Sequence, residues 1–266
     1  VFGHVFAFLC TLYNICTLYI RRVASEGPAT TDDLRSTADR PGRRGPRRSL
    51  SSAQVVEAAL AVVDAGGPAA LSVRAVAGRL GVRPNALYTY VESRAALERE
   101  VVERVLADAD LTLLDPDGRP WRERVLAFAD AVRIQLLGHP AVALLLMTAP
   151  MDGPAALGVG ERLIGALHEA GLDLDDAARA AYAVMVQVIG AVALEVAETD
   201  GVPPLPSEDE RIAARRAGLS QVPADAWPMA AATVEVTARW NSTAQFRWSL
   251  GVLLDGIAGL RGREHS

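Results

Sequence analysis

Residues 71–106 read LSVRAVAGRLGVRPNALYTYVESRAALEREVVERVL, and their spacing decides the fold. Ser72 is a capping residue type, and Val73, Val76, Ala77 and Leu80 follow at helical intervals. Gly81 stops that helix at once, because glycine accepts the left-handed backbone of a helix end. A second short helix is expected from Pro84 to Val91. Pro84 suits a first helical turn, where its missing N–H costs nothing. Leu87 and Val91 lie one turn apart and can dock this helix on its predecessors. Arg83, Asn85, Tyr88, Thr89 and Tyr90 are then left outside. Arg and Asn can hydrogen-bond base edges, a Thr methyl can touch thymine, and Tyr hydroxyls can bind phosphate. One helix is expected over 92–110, capped by Ser93, whose N-terminus together with Arg94 suits a further phosphate.

Upstream, Ser51 and Gln54 have capping-box spacing. Val56, Ala59, Leu60 and Val63 share one helical face, and Gly66-Gly67-Pro68 ends the run. Short helices joined by a tight glycine turn form the helix-turn-helix of DNA-reading proteins.

Charge supports this reading. The net charge of the whole chain is −5. From Arg43 to Arg94, however, eight Arg stand against three acids, a net of +5. From Ala95 to Ser266, fifteen Arg stand against twenty-five acids, a net of −10. A small basic unit joined to a large acidic one concentrates cations where phosphates bind and discourages adhesion elsewhere. Arg43, Arg44, Arg47 and Arg48 precede the first helix. They read either as a solvated basic linker or as an arm that follows phosphates into the minor groove.

The stretch 71–106 resembles the DNA-binding domain of the tetracycline-repressor (TetR) family. Leu87, Tyr88 and Val91, followed by a charged turn and Ala96-Leu97, carry the most specific part of the likeness. The resemblance implies that Arg74 and the Pro84–Val91 helix contact DNA, and that Tyr88 and Arg94 hold the backbone. It also implies that each dimer reads a palindrome. The candidate DNA-binding residues are Arg47, Arg48, Arg74, Arg83, Pro84, Asn85, Tyr88, Thr89, Tyr90 and Arg94.

Downstream, helices are expected at 121–137, 141–148, 154–170 and 173–198, with Pro140, Pro150 and Gly171 at the breaks. A short helix is expected after Ser207, where Glu210 completes a capping box. The last helix is expected over 231–260, with Phe246, Leu250, Leu253, Leu254 and Ile257 as an apolar stripe. The helices 173–198 and 231–260 are expected either to pair with their copies in a homodimer or to pack within one chain. Residues 121–198 resemble the effector domain of the tetracycline-binding branch. That branch places a magnesium-ligating histidine just before the position of Pro150. Here that place holds Leu144 to Thr148, without histidine, so no metal or other cofactor is expected. A mostly apolar pocket for a small-molecule effector is expected from Phe128, Val132, Met147, Leu163, Leu167, Tyr182 and Met185, with Gln187 and His139 as polar contacts; each of these also reads as ordinary core.

Residues 1–20, VFGHVFAFLCTLYNICTLYI, differ in composition from the rest and repeat the tetrapeptide CTLY. They read as a membrane span followed by Arg21-Arg22, as translated upstream DNA ahead of a later true start, or as an extension. Residues 21–48 lack apolar periodicity and read as a disordered linker. With both cysteines confined to 1–20, no disulfide framework is expected and the cytoplasm is the expected compartment. No phosphate-binding loop, dinucleotide fingerprint, zinc spacing or nucleophile elbow occurs, so no enzyme is expected. The expectation is therefore an all-α protein: an extension (1–48), a three-helix DNA-binding domain (49–96), and an effector-binding and dimerisation domain (97–266). It would bind a double-stranded DNA operator and be released by its effector.

Overall fold

Local capping chemistry starts each of the first helices where the sequence places it. These come from a computed structural model that describes residues 50–199, 201 and 203–260. The 1–20 segment, the linker, and Arg47 and Arg48 lie outside the described residues. Helix α1 spans Ser52–Ala70. The Ser51 hydroxyl accepts the Gln54 backbone amide at 3.2 Å, and the Gln54 side-chain Oε1 accepts the Ser51 backbone amide at 3.0 Å, closing the capping box. Gly67 at φ 73° interrupts regular helix geometry, so the expected stop is a kink followed by one last turn. Helix α2, Val73–Leu80, begins at Ser72, whose hydroxyl accepts the Ala75 amide at 3.1 Å. It ends at Gly81, φ 67°.

The expected helix from Pro84 to Val91 needs correction. A 3-10 turn covers only Pro84–Ala86, and hydrogen-bonded turns carry the chain to Val91. The Leu87 amide bonds back to Pro84 and the Val91 amide to Leu87, which still leaves Leu87 and Val91 buried. Helix α3 is Arg94–Ala107, shorter than the expected 92–110. Ser93 starts it by accepting the Ala96 amide, and Asp110 opens a separate 3-10 turn, Leu111–Leu114.

The remaining helices are α4 Trp121–Gly138, α5 Pro140–Leu145, α6 Pro154–Glu169, α7 Leu174–Ala197, α8 Glu208–Leu219, α9 Pro228–Ala232, α10 Val234–Thr237 and α11 Thr243–Ala258. The single helix expected over 231–260 is thus three. Thr233 leaves helical geometry, and Ser242 caps a fresh start by accepting the Gln245 amide. No strand occurs among the described residues, and the fold is all-α.

Helix α7 is the hub and packs on α4, α5, α6 and α11. By length and composition it is apolar enough to cross a membrane, yet here it is a core helix, with Val184, Val188 and Val192 buried. Helix α1 packs on α3 and α5, so the core runs unbroken from Val55 to Ile257. Charges are also buried in it. Arg133 of α4 grips Glu195 of α7 with two bonds, 2.7 and 2.8 Å, and its guanidinium lies 5.4 Å from the Phe246 ring centroid. Arg211 of α8 reaches the same carboxylate at 3.3 Å. Ile212 is the one buried apolar residue of α8, and Arg211 and Arg215 tie the helix to Glu195 of α7 and to Glu198 at its C-terminal cap.

Candidate nucleic-acid interface

The turn after Gly81 presents polar groups because its two apolar residues are fully used underneath. Leu87 and Val91 are buried, whereas Arg83, Pro84, Asn85, Thr89 and Tyr90 are exposed and Tyr88 is 56% exposed. Arg74 is exposed on α2. Among the described residues, Arg74, Arg83, Asn85 and Tyr88 have no hydrogen-bond or ion-pair partner. Four exposed polar side chains on α2 and the turn after it therefore have no partner among the described residues.

The other candidates on this surface are partly engaged. The Thr89 hydroxyl donates to the Ala86 carbonyl at 3.0 Å, tightening the turn. The Tyr90 hydroxyl donates to the Leu50 carbonyl at 2.6 Å and pins the start of the described chain. Arg94 pairs with Glu98 at 2.8 Å and donates to the Pro68 carbonyl at 2.9 Å. A phosphate near Arg94 has to compete with that carboxylate. Arg79, in the last turn of α2, is also exposed. Sequence reasoning passed over it, because a cation there is explained by the helix dipole alone.

A cavity of about 250 Å³ lies between α6 and α7, with Leu106 of α3 in its lining. It gathers three of the expected effector contacts, Leu163, Tyr182 and Met185. Ala156, Gly160 and Ala178, whose small size opens the space, carry no periodic or chemical signal in the sequence. Its lining carries no charged side chain. The other expected contacts sit elsewhere. Phe128, Val132 and Leu167 are buried in the core without lining this cavity. Met147 is exposed and Gln187 half-buried outside it. His139 faces Asp64 of α1. Among the described residues no three His, Cys, Asp or Glu side chains are grouped to hold a metal.

Comparison with known proteins bears on both halves. Residues 115–261 match the family model "Tetracyclin repressor-like, C-terminal domain". An HTH-type transcriptional regulator of Saccharopolyspora erythraea is 34% identical over 146 residues, 55% of this chain and 61% of that protein. The HTH-type transcriptional repressor DrrR1 of Streptomyces coeruleorubidus is 31% identical over 162 residues, 61% of this chain and 59% of that one. The chain thus spans about three fifths of the length of these curated relatives. A crystal structure from Streptomyces coelicolor, described as a possible TetR family transcriptional regulator, superposes with a TM-score of 0.68. It is 31% identical, and the match covers 79% of this chain and all of that one.

Proposed function

The chain belongs to the tetracycline-repressor-like family, and on that premise we propose that it is a DNA-binding transcriptional repressor released by a small apolar effector. The observation that carries this reading is the exposed group of Arg74, Arg83, Asn85 and Tyr88, propped on buried Leu87 and Val91. These side chains stand on α2 and on the turn that follows it, and their donors, acceptors and ring suit the base edges and phosphates of a DNA groove. The names of the curated relatives, a transcriptional regulator and a transcriptional repressor, support the same class.

A single turn of this size reads too few base pairs, so the binding unit is a homodimer on a palindromic site. Support comes from exposed apolar side chains on the two helices expected to pair. Tyr182, Val186 and Leu194 recur at four- and eight-residue spacing on α7, and Trp248 and Val252 lie one turn apart on α11. The effector is read from the uncharged cavity between α6 and α7, which favours a compact apolar molecule without a bound metal.

A mobility shift on DNA from upstream of the protein's own gene tests the reading. Wild type retards a palindromic fragment at low salt, and Tyr88→Ala weakens that complex while leaving thermal stability intact. No shift on any upstream fragment overturns the function.

A further inference from the structure

We propose that Glu103 couples the cavity wall to the DNA-facing surface by capping helix α6 from helix α3, an inference that rests on the DNA-binding reading above. Helix α6 begins at Gly153, which has no side chain to cap it, and Pro154 follows. The unpaired amides of a helix start need acceptors. Here they are met from another helix: the Glu103 carboxylate accepts the Ala155 amide at 2.7 Å and the Ala156 amide at 3.1 Å. A Cβ on Gly153 would meet the Glu103 carboxyl group, so a larger residue there has to displace the carboxylate from the two amides. One turn earlier on α3, Arg99 adds an ion pair to Asp152 at 3.0 Å.

The position of this cap gives it its consequence. Ala156 is both a capped residue and part of the cavity lining. Helix α3 carries Glu103 in its second half and begins at Ser93, directly after the exposed turn that ends at Val91. A displacement of the α6 wall therefore pulls on the rod that holds the DNA-facing turn, with the Glu103 carboxylate as the directional contact within the packing of α3 on α6. A carboxylate on two amides at a helix N-terminus is a charge-assisted contact, stronger and more directional than apolar packing. Coupling is reciprocal, so DNA must also act on the cavity wall, and the link is measurable without knowing the effector.

The experiment is amide hydrogen exchange on the full chain, with and without its double-stranded operator, in wild type, Glu103→Ala, Glu103→Gln and Gly153→Ala. Operator binding is expected to change exchange in the first two turns of α6 by about 5-fold or more in wild type. In Glu103→Ala and Gly153→Ala that DNA-dependent change disappears while the operator is still bound. Glu103→Gln, which keeps the shape and one acceptor, gives an intermediate change and serves if the alanine variants do not fold. Operator bound by wild type with no change in α6, or the same change in every variant, overturns the coupling. Failure of wild type to bind DNA at all overturns instead the functional reading beneath it.

Discussion

The Nδ1 of His139 lies 3.0 and 3.2 Å from the two carboxylate oxygens of Asp64, joining the α4–α5 corner to helix α1. His139 thus fastens α1 to the helices that follow. Both side chains are about a third exposed, so solvent screens the pair. A double-mutant cycle with His139→Ala and Asp64→Ala, followed by urea unfolding, is expected to give a coupling of about 0.5–1 kcal/mol. A coupling of zero would show that the contact adds nothing to stability.

Tyr88 and Tyr90 stand two residues apart and are expected to separate binding from stability. Tyr90→Phe removes the hydroxyl bond to Leu50 and is expected to cost about 0.5–1.5 kcal/mol in urea unfolding. Tyr88→Ala removes an exposed ring with no hydrogen bond of its own and leaves stability within about 0.5 kcal/mol. It is the DNA complex that Tyr88→Ala weakens, seen as a higher midpoint in a mobility shift.

The buried Arg133–Glu195 pair predicts a large, one-sided effect. Glu195→Ala leaves the Arg133 and Arg211 guanidinium groups without their shared carboxylate inside the core. Breaking such a pair costs about 3–5 kcal/mol, measurable as a drop in urea midpoint. The triple replacement Arg133→Met, Glu195→Leu and Arg211→Met is expected to recover much of the loss, since both buried guanidinium groups go with their shared carboxylate.

Two neighbouring carboxylates give stability opposite pH slopes. Burial opposes ionisation of Glu208, but the hydroxyl and amide of Thr243 and the charge of Arg133 outweigh it and hold its pKa below the ordinary 4.5. Its contribution is present above the unfolded value and is lost as pH falls through the lower folded value. For Glu198, burial dominates the partly offsetting Arg215 and raises the pKa. That contribution is present below the unfolded value and is lost as pH rises through the raised one. Urea unfolding between about pH 3 and 6 should therefore show a flatter acid-side loss in Glu208→Gln than in wild type. An unchanged slope would contradict the assignment.

Exposed apolar groups on α7 and α11 predict an assembly that can be broken from the surface. Trp248→Glu with Val252→Glu places two charges on the α11 face without touching the core. Light scattering is expected to report a monomer that keeps wild-type helicity and has lost most of its affinity for a palindrome. A dimer surviving both substitutions places the interface elsewhere.

What the sequence revealed, and what it did not, follows from the range of the interactions. Ser51 with Gln54, Ser72 and Gly81, Asp173, and Ser207 with Glu210 act within a few residues of themselves, so the ends they set were legible. The polar face around Asn85 and Tyr88 was legible because Leu87 and Val91 have to point inward. The collapse of the expected 84–91 helix into a 3-10 turn was not, because Leu87 and Val91 keep the same inward spacing in either form, and the Tyr90 bond to Leu50, forty positions away, leaves no local pattern. The break at Ser242 was hidden because Phe246, Leu250 and Ile257 continue a helical stripe beyond it. The Arg133–Glu195 pair joins residues 62 apart and leaves no periodic trace. The cavity was only half legible, because its large walls Leu163 and Met185 carry a signal whereas the room made by Gly160 and Ala178 does not.

The central claim is most directly tested by the salt dependence of binding to the palindrome recovered from upstream DNA, against a scrambled duplex of equal length. Each phosphate contacted by an arginine steepens the fall of log K with log salt by about 0.9. The account predicts a steep negative slope on both duplexes, tighter binding to the palindrome at every salt concentration, and weaker binding to both duplexes alike in Tyr88→Ala, whose ring is assigned to the DNA backbone. Equal affinity for the two duplexes, or binding indifferent to salt, contradicts it.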